Sequence, residues 1–172
     1  MNEKTRIQIE EMKRQTIGVE VEMNNITREN AARIAADYFG TGRYKYTADR
    51  NGYYTWSAWD TEGREWKFQR DVSIAGVDSE KCELVTPILK YEDIPLLQEV
   101  VRALRRAGGV TGPRYCAGTH IHISADDYTP QQIRNLVNIF ASKEDFLWDA
   151  LQVSTARESY CRKMDKEFIK EI

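Results

Sequence analysis

Two short stretches place chemically active side chains at every second position. In Gly18-Val19-Glu20-Val21-Glu22-Met23 two carboxylates alternate with aliphatics, and in Thr119-His120-Ile121-His122-Ile123 the chain's only two histidines do the same. Successive side chains of an extended strand point to opposite faces, so Glu20 and Glu22 share one face while Val19, Val21 and Met23 take the other. At about 7 Å and an effective dielectric near 20 the two charges repel by roughly 2 kcal/mol, a cost that a bound cation reverses. On an open edge strand the same pair is only a solvated polar face. Paired imidazoles can ligate a divalent ion, hydrogen-bond phosphate or carboxylate, or move a proton near neutral pH; they can equally be incidental on a solvated strand.

Further acids come after the aromatic segment in the middle of the chain. Asp71 opens Asp71-Val72-Ser73-Ile74, and Glu83 lies within Cys82-Glu83-Leu84-Val85-Thr86-Pro87. A carboxylate in so apolar a run needs a partner, either a metal ion or a cation such as Arg70 or Lys81. Asp71 also suits the turn that ends a strand.

The elements that must position these groups can be read from caps and periodicity. Strands are expected over 17–24, 53–59, 65–71 and 119–124, with a fifth over 81–87. Asp60-Thr61-Glu62-Gly63 makes a tight turn that pairs the second and third as a hairpin, with Trp56, Trp59, Trp66 and Phe68 across it. Thr27 caps a helix over 28–39 with Ala31, Ile34, Ala35 and Tyr38 on its inner stripe, and Asp93 with Pro95 starts another carrying Leu97, Val100, Val101 and Leu104. Thr129-Pro130 opens a helix through Phe140, a new cap falls at Ser142 to Asp145, and the tail from Met164 is a charged helix. This order lacks regular βαβ alternation and fits an α+β fold with an antiparallel sheet. Residues 1–16 form an arm, helical or disordered, before a single domain over 17–172.

The 172 residues, 41% of them apolar, suffice for a real core, and 25 basic against 27 acidic side chains create no global field toward nucleic acid or membrane. No stretch approaches a membrane span and the first 16 residues lack an apolar signal, so a cytoplasmic location is expected. Cys82, Cys116 and Cys161 are odd in number and lack CxxC spacing, so they are read as free thiols filling core. The basic and aromatic run Arg43-Tyr44-Lys45-Tyr46, with Arg50, Tyr53 and Tyr54, is read as a substrate-cleft loop in preference to a nucleic-acid contact.

Taken together, Gly18 to Met23, Trp66 to Ile74, Cys82-Glu83-Leu84-Val85-Thr86-Pro87-Ile88-Leu89, Cys116-Ala117-Gly118-Thr119-His120-Ile121-His122-Ile123 and Arg157-Glu158-Ser159-Tyr160-Cys161 resemble, in order and spacing, the amidoligase family. That family is related to glutamine synthetase and glutamate-cysteine ligase within the carboxylate-amine ligase group. The resemblance implies a curved, mostly antiparallel sheet with helices on one face and a glutamine-synthetase-like site on the other. It implies that Glu20, Glu22, Glu83 and His120 hold Mg2+ or Mn2+, and that His122 and Arg157 meet ATP. Asp71 and Ser73 would line the acceptor pocket, with Arg157 also touching phosphate or a substrate carboxylate. The implied reaction activates a small-molecule or peptide carboxylate as an acyl phosphate, which an amine then attacks to give an amide.

The family pattern continues past the Tyr-Cys segment to a Glu-Phe-Arg-like element, whereas here Glu167-Phe168 is followed by Ile169. The usual C-terminal part is therefore expected to be missing, through truncation, through shortening of a relative, or because another polypeptide completes the site. A non-catalytic binding domain and a metal-dependent hydrolase or nuclease use the same ligand types.

Overall fold

The chain begins with a helix and continues into a sheet whose strands all run antiparallel. The computed structural model describes residues 1–47 and 51–171, the side chains of Arg157 and Lys166 excepted. Two compact units divide it, Met1–Ser124 and Ala125–Ile172.

In the first unit α1 (Glu3–Lys13), capped by the Asn2 side chain accepting from Thr5 N–H, precedes β1 (Ile17–Met23) and α2 (Arg28–Tyr38). Then come β2 (Tyr44–Tyr46), β3 (Trp56–Trp59), β4 (Glu65–Gln69), β5 (Cys82–Val85), α3 (Ile94–Arg106) and β6 (Thr119–Ile123). The six strands lie in the order β2-β3-β4-β5-β1-β6. The expected α+β architecture with an antiparallel sheet is therefore present.

One face of the sheet is dry. Val19, Val21, Met23, Trp66, Phe68, Leu84 and Ala58 form a single core with Ala31, Ala32, Ala35 and Ala36 of α2 and Leu97, Val100 and Leu104 of α3. The alanines let α2 lie close against the strands, and Phe39 reaches the Trp66 ring at 5.2 Å between centroids. This corrects the expected stripe, since Tyr38 is exposed and Ala32, Ala36 and Phe39 face inward. Thr27 caps α2 as expected, its hydroxyl accepting from Asn30 N–H at 3.2 Å.

The β3–β4 hairpin forms, with Gly63 at φ 78° donating to Asp60 O at 3.0 Å. Both strands are shorter than expected, because Tyr54 adopts φ 49° before Trp56 and the chain turns at Asp71. Within the Arg43 to Tyr46 run, Tyr44–Tyr46 is an edge strand, not a loop: Lys45 pairs with Ser57 and Tyr46 with Trp56. Arg50 lies outside the described residues.

Asp60 does more than form the turn. Its carboxylate accepts from the N–H groups of Glu62 and Arg64, from Arg64 Nε at 2.8 Å and from Trp66 Nε1 at 3.0 Å. Arg64 also grips Asp93 with both terminal nitrogens, at 2.8 and 2.9 Å, which ties the hairpin to the start of α3. Asp93 therefore spends its side chain on Arg64 and Lys90 N–H instead of capping α3.

In the second unit α4 (Pro130–Ala150) runs without the expected break, because Ser142 returns its hydroxyl to Ile139 O at 2.8 Å inside the helix. Thr129 and Gln132 form its capping box, and α5 (Lys166–Glu171) comes last. The cysteines are free, Cys82 in the core with its thiol pushed up to about 12 by burial, but Cys161 is exposed and fills no core. No described helix is long and apolar enough to cross a membrane.

Burial pushes the Asp60 carboxyl up, but hydrogen bonds from Trp66 and Arg64 outweigh it and hold it below the ordinary range, while Arg64 holds Asp93 low as well. With folded pKa values below the unfolded value of about 3.9, their stabilisation is full above about pH 4 and is lost as pH falls through the folded values. Asp60→Ala is expected to cost about 3 kcal/mol in urea unfolding at pH 7. It should also flatten the fall in melting temperature below pH 4.

Candidate metal centre

The polar face of the sheet collects acids because β1 sits between β5 and β6. Register sets Glu22 opposite Glu83 and Glu20 opposite His120, with His122 opposite Gly18. Directly paired residues share a face, so two short alternations distant in sequence become one surface.

Glu22 is 3% and Glu83 7% exposed, so both carboxylates need compensation. Glu22 Oε2 accepts from Gly118 N–H at 2.7 Å, and its other oxygen lies 3.8 Å from His120 Nε2. Glu83 Oε2 accepts from Gln69 Nε2 at 2.9 Å. The cations considered as partners are engaged elsewhere, Arg70 with Asp78 at 2.7 Å and Lys81 with Val72 O at 3.3 Å. Burial pushes the Glu83 carboxyl above its ordinary value; the Gln69 hydrogen bond opposes this, and the charges of Glu20, Asp71 and Glu22 add to it.

Asp71 joins them from the end of β4. Carboxylate oxygens of Glu22, Asp71 and Glu83 all lie within 4.8 Å of one another, the only such group of three potential ligands among the described residues. Its position is fixed by a clamped loop. Asp71 Oδ1 accepts from Ser73 N–H at 2.6 Å, and Ile74 is fully buried. Asn24 Nδ2 donates to Ala75 O at 2.9 Å, while Ala75 N–H donates to Tyr115 O at 2.7 Å. At Gly76, with φ 109°, a Cβ would stand 2.8 Å from Asn24 Nδ2, so only glycine fits against this clamp.

Glu20 stands beside the three acids and is held by imidazoles, with Oε2 at 3.1 Å from His120 Nδ1 and Oε1 at 3.5 Å from His122 Nε2. Both rings are more than half exposed, at 51% and 63%. Ser73 is exposed and meets Asp71 through its backbone N–H. Arg157 belongs to the second unit, in the turn Thr155–Arg157, and its side chain lies outside the described residues.

Gln69 and Gly118 were not among the expected site residues, yet each orients a buried carboxylate. Strand alternation carried the signal for Gln69, which shares Asp71's parity two residues upstream. Gly118 contributes only a backbone N–H, which side-chain chemistry cannot reveal. A cleft of about 440 Å³ opens beside Asp71 and Glu83, bounded also by Tyr53, Gln69 and Arg70.

Three buried or half-buried carboxylates form the hard oxygen donor set that Mg2+ or Mn2+ prefers. A family model described as "Putative amidoligase enzyme" matches residues 13–172. No curated protein and no solved structure matches the chain.

Because the Glu83 pKa is raised in the folded state, its effect on stability is favourable below the unfolded value, about pH 4, and is lost as pH rises through the folded value. In chelator at pH 7, Glu83→Gln should therefore melt at or above the temperature of the native chain. The difference should vanish below pH 4 and reverse when millimolar Mn2+ is added, as followed by circular dichroism.

Proposed function

We propose that this chain, which belongs to the amidoligase family, joins a carboxylate to an amine at the expense of ATP through an acyl phosphate. The observation that carries the reading is the convergence of Glu22, Asp71 and Glu83 from three separate segments onto one point. Such a concentration of negative charge on a sheet face suits an enzyme that must gather divalent cations to hold a polyphosphate next to an acid it activates.

Glu22, Asp71 and Glu83 would hold Mg2+ or Mn2+. The bound cation would neutralise phosphate charge and polarise the phosphoryl oxygens. Gly118 N–H and the Gln69 amide keep Glu22 and Glu83 aimed at that point, so the donor set is ordered before a ligand arrives. The cleft beside Asp71 has the volume of a small-molecule site and would seat the amine, whose positive charge the acids attract.

Glu20 with His120 and His122 forms the proton-handling side of the site. A carboxylate within 3.1 Å of an imidazole nitrogen can pass a proton to it, so this pair can take the proton that an ammonium must lose before it attacks. No enzyme nucleophile is needed. Arg157 would add positive charge toward phosphate or the substrate carboxylate. Separating Glu20 from the three metal-facing acids assigns the four carboxylates two tasks, which the family resemblance alone did not distinguish.

Calorimetric titration with a non-hydrolysable ATP analogue tests the reading. The native chain should bind in the presence of magnesium and not in chelator, and Glu22→Gln with Glu83→Gln should weaken binding at least tenfold. Magnesium-independent binding, or binding untouched by the double change, would count against it. Replacement of His120 by Gln should leave this affinity intact while slowing phosphate release in the presence of amine and carboxylate.

A further inference from the structure

The polar face of the sheet carries its charge in two halves. Register lines up Lys45 of β2, Ser57 of β3, Lys67 of β4, Val85 of β5, Glu20 of β1 and His120 of β6 in one row across all six strands. Glu20, Glu22 and Glu83 lie on β1 and β5, and Lys45 and Lys67 on β2 and β4, where Glu65 shares their face.

Among the described residues nothing neutralises Lys67. It is exposed and makes no ion pair among the described residues. Glu65, two positions back on the same face, accepts from Ser57 Oγ at 2.7 Å, and the same hydroxyl meets Thr47 Oγ1 at 2.8 Å. Glu83 on the neighbouring strand is engaged by Gln69. Lys45 and Arg43 both lie over the Trp59 ring, at 5.6 and 5.8 Å from its centroid. A lysine on an edge strand such as β2 can serve simply to discourage edge-to-edge pairing. That reason does not reach Lys67, because β4 is an inner strand paired on both sides.

Glu83 stands one strand spacing across and two residues along from Lys67, about 8 Å between backbones, and Glu22 lies one strand further on. A ligand with one end at the carboxylate centre and an anionic group at the other would span that gap. We infer that Lys67, assisted by Lys45, is an anion-binding subsite that takes a phosphate or carboxylate group of a ligand whose opposite end lies at Glu22, Asp71 and Glu83. This rests on the reading of that face as a ligase site. Lysine suits the task as a flexible point charge that follows an anion without demanding one geometry.

The test uses the full chain at low salt. Mn2+ is titrated first by calorimetry, then inorganic pyrophosphate and, separately, glutamate, against the native chain, Lys67→Gln and Lys67→Arg. Mn2+ affinity should be the same in all three. Lys67→Gln should weaken at least one anion about tenfold or more, and Lys67→Arg should keep most of the affinity. Loss for pyrophosphate alone assigns the subsite to phosphate, and loss for glutamate alone assigns it to a substrate carboxylate. Native chain that binds Mn2+ but neither anion, or Lys67→Gln that binds both as tightly as native, overturns the inference. Failure of the native chain to bind Mn2+ overturns the metal reading beneath it, which is a separate result.

Discussion

Glu22 and Glu83 face each other across β1 and β5, both almost fully withdrawn from water, and the rest of the polar face is arranged around that pairing. Burial raises the cost of charging Glu83, and the neighbouring charges of Glu20, Asp71 and Glu22 add to it. The fold offers hydrogen-bond donors to orient Glu22 and Glu83, Gly118 N–H and the Gln69 amide, but places Arg70 and Lys81 where they cannot neutralise them. Three carboxylates whose oxygens lie within 4.8 Å of one another are the kind of oxygen donor set that suits a small divalent cation.

The opposite face explains how the sheet tolerates such a centre. The same alternation that turns Glu20 and Glu22 outward turns Val19, Val21 and Met23 onto α2 and α3. A one-residue slip of β1 would bury the acids in the apolar core and expose the aliphatics, so the hydrophobic pattern that builds the core also fixes the register of the site. The Asp60, Arg64 and Asp93 network holds the far hairpin to α3 on independent contacts. The acidic face is thereby spared from structural duty.

Much of this was legible in the chain itself, because period-two alternation specifies both strand and face. Glu20, Glu22, His120 and His122 could be placed on common faces from spacing alone. The grouping of Glu22 and Glu83 with Asp71 could not, since it depends on a loop clamped by Asn24, Ala75 and Tyr115, segments far apart in sequence. The Arg43 to Tyr46 run did show alternation of basic with aromatic residues, but three paired residues are too few to distinguish a strand from a loop without β3 beside them. Ser142 looked like a cap because serine competes for backbone groups; here it bonds to the preceding turn and α4 continues.

The central claim is that Glu22, Asp71 and Glu83 together hold a divalent cation. Anomalous diffraction from crystals of the chain grown with Mn2+ addresses it directly. The account predicts a manganese peak within bonding distance of oxygens from all three carboxylates. A peak bound only by Glu20 and the histidines, or none at the three acids under saturating Mn2+, would contradict it.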